Sequence, residues 1–302
     1  MTPAKMHADE VDTSVELVQS LIHDQFPHWA DLHIEPVQSS GTDNAMFRVG
    51  DDTAVRMPRI AGAAGQIAKE HRWLPFLAPH LPLDIPVPLA RGVAGHGYPF
   101  DWTVQPWLAG QNATIDRVAD ASLMAESLAQ FVLALQAIDG SEGPRSGGNN
   151  SSRGLPLATR ADETHAAIDG LRGMADTAAL HARWEADMRA PVWTQPPVWI
   201  HGDLQSGNLL LVDGRLSAVI DFGCLGVGDP ACDLLVAWNL FPAPAREVYR
   251  RTLSVDDATW ARGRGWAHST SVIALEYYHA TNPVLAGISR YAIEQVLADD
   301  HS

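Results

Sequence analysis

Between Trp199 and Leu240 the chain sets several polar side chains around one tight hairpin, and no other stretch constrains its fold as strongly. An apolar run, Val198–Ile200, ends at His201-Gly202-Asp203. Two more apolar runs, Leu209–Val212 and Leu216–Ile220, flank Asp213-Gly214, a dipeptide favoured where a hairpin turn needs positive φ. Such a hairpin brings Asn208, just before its first strand, close to Asp221, just after its second, with Asp203 on the loop leading in. One carboxylate can orient a hydroxyl and take its proton. An amide oxygen and a second carboxylate are hard ligands for the Mg²⁺ that bridges nucleotide phosphates. The geometry suits phosphoryl transfer, with Asp203 as base and Asn208 and Asp221 as metal ligands.

Composition narrows the class. With 302 residues, 46% of them hydrophobic, the chain can build one large domain or two lobes, and 19% charged residues argue against disorder. The formal net charge of -15 lacks the basic footprint of a nucleic-acid binder. It would attract a cationic substrate, although acidity also serves solubility. Cys224 and Cys232 are the only cysteines, in no metal or redox spacing, which fits a reducing compartment. No signal peptide and no apolar run of about 20 residues is visible, so the expected location is cytoplasmic, with no membrane partner.

Three motifs occur together and in order: His201-x-Asp203-x-x-x-x-Asn208, Ile220-Asp221-Phe222-Gly223, and Gly228-Asp229-Pro230-x-x-Asp233-Leu234. Each alone is an ordinary turn; the set resembles the aminoglycoside phosphotransferase family of kinase-like small-molecule kinases. Gly202, where protein kinases usually carry Arg, favours that family over protein kinases. Only Cys224–Gly228 separates Asp-Phe-Gly from Asp-Pro, which leaves little room for a peptide platform. The resemblance implies an α+β, protein-kinase-like two-lobed fold. Residues 1–106 would form a small lobe of antiparallel sheet plus helix, and residues 107–302 a larger, mainly helical lobe. It implies transfer of the γ-phosphate of ATP or GTP, with Mg²⁺, to a hydroxyl of a small molecule. An aminoglycoside-type antibiotic, a polycation, is one such acceptor, and antibiotic resistance the associated biology. The alternative is a non-catalytic kinase-like protein that binds nucleotide or a small molecule.

Taken in order, Thr13–Phe26 reads as an amphipathic helix and Ile34–Val37 and Ala45–Val49 as strands. The loop between them holds Ser40, Gly41, Thr42 and Asn44, whose backbone N–H groups can cover phosphates; by itself it reads equally well as a hairpin turn. Thr53–Met57 is the third strand. In kinase-like folds this strand carries a Lys paired with a Glu on the next helix. Here the only lysines are Lys5 and Lys69. Arg56 takes the position, with Arg59 as the substitute, and Glu70 on helix Ala63–Leu77 is the candidate partner. A solvated charged face competes as the explanation of Glu70. Four prolines then lead into strand Val87–Gly92. The run Trp102–Leu108 resembles the fifth strand and the hinge that meets adenine, with Gln105 and Trp107 on the nucleotide side; packing is the competing role for Trp107.

Further on, helices are expected at Ser122–Ile138, Thr159–Leu171, Asp176–Met188, Ala243–Leu253, Asp256–Ala280 and Pro283–Leu297. The Gly-, Ser- and Asn-rich stretch 140–155 reads as a mobile loop. Asp229 and Asp233 read as supports at a helix start, and His201 as a buried scaffold residue. Because family helices near the C-terminus line the acceptor pocket, the resemblance puts Glu276, Tyr277, Tyr278 and Asn282 on the acceptor side.

Overall fold

A computed structural model describes residues 10–37 and 43–299. Those residues form two compact units, one running up to Pro79 and adding Asp84–Ala109, the other comprising His80–Leu83 and the chain from Gly110 onward.

The first unit is organised by alternation. Helix α1 (Val15–Gln25) is capped by Ser14 and buries Val18, Leu21 and Ile22. Strand β1 (Ile34–Val37) precedes β2 (Asn44–Val49), in which Ala45, Phe47 and Val49 are buried and the residues between them are half-buried, the period-2 signature of a sheet with one packed face. β3 (Thr53–Pro58) is buried along its whole length. Helix α2 (Ala61–Leu77), β4 (Ala90–Gly92) and β5 (Trp102–Pro106) complete the unit. The strands form one antiparallel sheet in the order β1-β2-β3-β5-β4, which makes β3 central. On one face the α1 residues join Phe47, Val55, Met57, Trp102 and Val104 in the core. On the other lies α2, packed against β3 and β5. The expected strand Val87–Gly92 is shorter, since Pro86 and Pro88 have no N–H for a ladder; pairing starts with Leu89 donating to the Val104 carbonyl at 2.8 Å.

The second unit begins with β6 (Gln111–Asn112) and α3 (Ala121–Ala137), whose cap Asp120 accepts from the Ser122 and Leu123 amides. Helices α4 (Ala161–Gly170) and α5 (Thr177–Met188) follow. Next come β7 (Val198–Ile200), β8 (Leu209–Val212), β9 (Arg215–Val219) and β10 (Gly226–Gly228). Helices α6 (Val236–Asn239), α7 (Ala243–Leu253), α8 (Asp257–Tyr278) and α9 (Pro283–Leu297) end the described chain. Two small antiparallel sheets, β6-β8-β9 and β7-β10, carry the motif region. Helix α8 packs against α4, α5 and α9, and Arg264 Nε and Nη2 both donate to Asp187 Oδ1, at 2.9 and 2.7 Å, tying it to α5.

The stretch 140–155 differs from the mobile loop expected of its composition. The Ser146 amide donates to the Val227 carbonyl, the Val227 amide to Pro144, and the Asp229 amide to Gly154. Asn150 is buried and bonds the Gly147 amide and the Arg153 carbonyl. Glycine here serves close approach: a Cβ on Gly154, at φ +77°, would lie 2.5 Å from Ile200.

Candidate functional site

The hairpin forms through its turn residues. Asp213 and Gly214 both take positive φ, 51° and 74°, the backbone that suits a two-residue hairpin. The Ile220 amide donates to the Asn208 carbonyl at 2.9 Å, which sets Asn208 beside the chain segment that ends in Asp221. Asp221 itself adopts left-handed backbone, φ 64°, with an exposed side chain that accepts from the Gly223 amide.

β7 pairs with β10, so the loop starting at His201 leaves from a fixed strand end. Asp233 holds that loop. Its two oxygens accept from the His201 amide at 2.9 Å and the Gly202 amide at 2.7 Å. Burial pushes its carboxyl up to about 7 against the pull of those two N–H groups. Asp229 combines two supporting contacts: it accepts from the Ala231 amide as a cap and pairs bidentately with Arg262 on α8. His201 is fully buried, and burial holds its pKa below the usual imidazole value. Its neighbours assign the tautomer: Nδ1 accepts from the Asp203 amide, so Nε2 carries the hydrogen and donates to the Ile220 carbonyl at 3.0 Å.

Asp203 sits at the centre of this network with its side chain 22% exposed. Oδ2 accepts from Gln205 Nε2 at 2.8 Å and Asn208 Nδ2 at 3.0 Å. The same Asn208 nitrogen also donates to the Asp203 carbonyl at 2.8 Å. Both partners are acceptors, so the amide has one orientation, with Oδ1 turned away from Asp203. An amide oxygen and a carboxylate are both hard donors, of the kind that suits a hard cation.

In the first unit Arg56 and Glu70 form an ion pair, their side chains 7% and 3% exposed. The pair is buried between β3 and α2, so neither residue belongs to a solvated face. Arg59 lies 4.0 Å from Glu10. Gln105 is buried on β5 opposite Ala54. The Trp107 amide donates to the Asp52 carbonyl at 2.8 Å, and the Arg48 guanidinium stands 5.1 Å over the Trp107 ring. Asn44 opens β2. Ser40, Gly41 and Thr42 lie outside the described residues.

The four residues expected on the acceptor side stand at the end of α8 and just after it. Glu276 and Tyr277 are exposed, and Tyr278 packs edge-on to Tyr277 at 4.7 Å. Glu276 lies against Gly170 of α4. Asn282 is buried and its side-chain oxygen caps α9 by accepting from the Leu285 amide, which gives it a structural task.

Sequence reasoning missed Arg153. Its Nη2 donates to Asp203 Oδ1 at 3.2 Å, and its guanidinium lies 5.4 Å over the Trp266 ring. Burial, the largest influence, opposes its charge, but Asp203 together with Cys224 and Cys232 outweighs it and the pKa is raised. The available signal was that Arg153 is the one charged residue between Ser146 and Thr159, inside a stretch whose composition suggested only a mobile loop.

A model of the phosphotransferase enzyme family matches residues 33–266. An aminoglycoside 3'-phosphotransferase of Escherichia coli is 43% identical over 56 residues, 18% of this chain. The chain therefore matches about a fifth, 21%, of the length of that curated relative. Among solved structures, the GDP and kanamycin complex of APH(2")-IIia is similar with a TM-score of 0.73 and 22% identity, over 94% of this chain and 99% of that one. The macrolide 2'-phosphotransferase MphH from Brachybacterium faecium is similar with a TM-score of 0.60 and 23% identity, over 95% and 99% of the two chains. At these identities the structural likeness speaks to the fold, which is kinase-like.

Proposed function

This chain belongs to the phosphotransferase enzyme family, and we propose that it is a small-molecule kinase that moves the γ-phosphate of ATP or GTP to an acceptor hydroxyl. The observation that carries this reading is the locked Asn208 amide. With its nitrogen held by Asp203, it presents an oxygen on the segment bonded to the one bearing Asp221. Two protein oxygens suit Mg²⁺, which retains waters and phosphate oxygens in preference to an all-protein cage. When bound, Mg²⁺ supplies charge neutralisation at the phosphates. Asp203 orients the acceptor hydroxyl and takes its proton, while Arg56, held by Glu70, serves the α/β-phosphates through its planar fork. Asn44, Gln105 and Trp107, with Ser40, Gly41 and Thr42, complete the nucleotide side. In this division residues 1–106 bind nucleotide and residues 107–302 carry the chemistry.

Similar structures, among them a GDP and kanamycin complex, an ADP-bound aminoglycoside phosphotransferase and a macrolide 2'-phosphotransferase, support a nucleotide donor and an antibiotic-class acceptor. An aminoglycoside-type antibiotic is the first acceptor to test, and resistance the matching biology. No described helix is long and apolar enough to cross a membrane, and a cytoplasmic site of action fits a nucleotide-dependent enzyme.

Mg²⁺-dependent release of ADP or GDP across aminoglycosides, macrolides, nucleosides, amino alcohols and sugars tests the proposal, with Asp203→Ala as the blank. One acceptor class is expected to raise release, and Asp203→Ala to lose about a hundredfold or more in kcat while nucleotide affinity holds. A loss of nucleotide affinity matching the loss of turnover would refute the role given to Asp203.

A further inference from the structure

We propose that Arg153 is a further catalytic residue, its guanidinium receiving the charge of the transferring phosphoryl group beside Asp203; this rests on the phosphotransfer reading above. In that step the acceptor oxygen bonds to the γ-phosphorus, the bond from that phosphorus to the β-phosphate oxygen breaks, and nucleoside diphosphate leaves. The hydroxyl proton passes to the Asp203 carboxylate. Negative charge spreads over the three equatorial oxygens of the phosphoryl group in the transition state, next to a carboxylate, and needs a fixed cation there.

Arg153 meets that need in four respects. It is beside Asp203 already, with Nη2 on Oδ1 at 3.2 Å. Its other two guanidinium nitrogens, Nε and Nη1, are buried with no oxygen or nitrogen acceptor among the described residues, the Cys224 thiol being a weak partner of the guanidinium. Unsatisfied buried donors are costly, and an Arg fork with open positions is matched in shape to a phosphoryl group. Its position is firmly built: its Cβ lies 3.1 Å from where a Cβ on Gly202 would stand, its carbonyl accepts from Asn150 Nδ2, and its plane rests over Trp266. Finally, lysine cannot supply the charge. The chain has only Lys5 and Lys69, and the catalytic-loop side chain next along from Asp203 that bonds it is Gln205, a neutral amide.

The nearby Arg160 is not an equal candidate. Its Nε donates to Ser269 and its Nη1 pairs with Glu163 at 2.8 Å, so two of its three nitrogens are already matched, and neither partner is Asp203. The geometry points to an exchange at Asp203 Oδ1. The acceptor hydroxyl takes the place of Arg153 Nη2, and the released fork turns to the phosphoryl oxygens.

A transition-state mimic separates this role from a structural one. Binding of ADP or GDP with Mg²⁺, with and without aluminium fluoride, is measured for the wild type, Arg153→Gln and Arg153→Lys. The expected result is that Arg153→Gln loses about a hundredfold in affinity for the fluoride complex, with diphosphate affinity unchanged, and that Arg153→Lys recovers only part of the loss. Equal affinity of all three for the fluoride complex would overturn the proposal. So would a matching loss of diphosphate affinity in Arg153→Lys, the variant that keeps the charge beside Asp203 if Arg153→Gln does not fold. Failure of the wild type to bind either diphosphate would instead bring down the phosphotransfer reading on which the proposal rests.

Discussion

Gly202 shows how a single residue sets the geometry of the loop that carries Asp203. Its φ is +84°, and a Cβ there would lie 2.5 Å from the Cys224 carbonyl oxygen. Its amide is also one of the two that Asp233 holds. An alanine would have to escape both the left-handed backbone and the carbonyl, and the escape would pull the amide away from Asp233. Gly202→Ala is expected to cost about 1–3 kcal/mol in stability, read from the unfolding midpoint in urea. Its kcat should fall more steeply than its nucleotide affinity, because the neighbour displaced is Asp203. An alanine variant with wild-type turnover would show that the loop tolerates movement.

At the scale of elements, the β3–α2 link turns on a pair that must be broken as a unit. Arg56 and Glu70 are both buried, and removing one member of a buried ion pair is strongly destabilising. Glu70→Ala is expected to destabilise the protein by about 3–5 kcal/mol, measured by chemical denaturation. The double variant Arg56→Met with Glu70→Leu should regain much of that stability while nucleotide binding stays lost, since apolar packing replaces the pair but not its fork. Recovery of nucleotide binding in the double variant would argue against a phosphate role for Arg56. The resemblance to kinase-like folds made the strand position and a candidate helical partner legible. The sequence left open whether Glu70 was a partner or a solvated charge, because Lys69, His71 and Arg72 beside it carry the same polarity and only packing distinguishes them.

For the whole molecule, stability against pH is a balance of buried groups with opposite shifts. Asp187 and Asp233 are raised, to about 6 and about 7, chiefly by burial. The folded chain therefore binds more protons there than the unfolded chain, and their contribution falls as pH rises. His268 has the opposite sign: burial, then the charges of Arg183 and Arg264, bring it from 6.5 to about 3. Its neutral form is favoured only in the folded state, so stability is lost as pH falls from 6.5 toward 3. Both His268 ring nitrogens are buried without a hydrogen-bond partner among the described residues. His268→Phe should therefore lose about 2 kcal/mol less stability than the wild type between pH 7 and pH 5, measured by urea unfolding at the two values. Equal acid sensitivity in the two proteins would show that His268 does not remain neutral in the fold.

The sequence by itself determined the chemistry-bearing order of the chain. His201, Asp203, Asn208 and Asp221 lie within a few residues of one hairpin, whose turn pair and apolar runs are local signals, so their neighbourhood could be read without knowing any distant contact. The long amphipathic helices were legible for the same reason. Tertiary structure alone decided what depends on residues far apart in the chain. The Asp233 grip on the catalytic loop, the burial of Arg56 with Glu70 and the ordering of 140–155 against β10 are of this kind. So is the arrival of Arg153 at Asp203, 50 positions away. Such contacts follow from packing and from the pairing of buried polar groups, which no local pattern records.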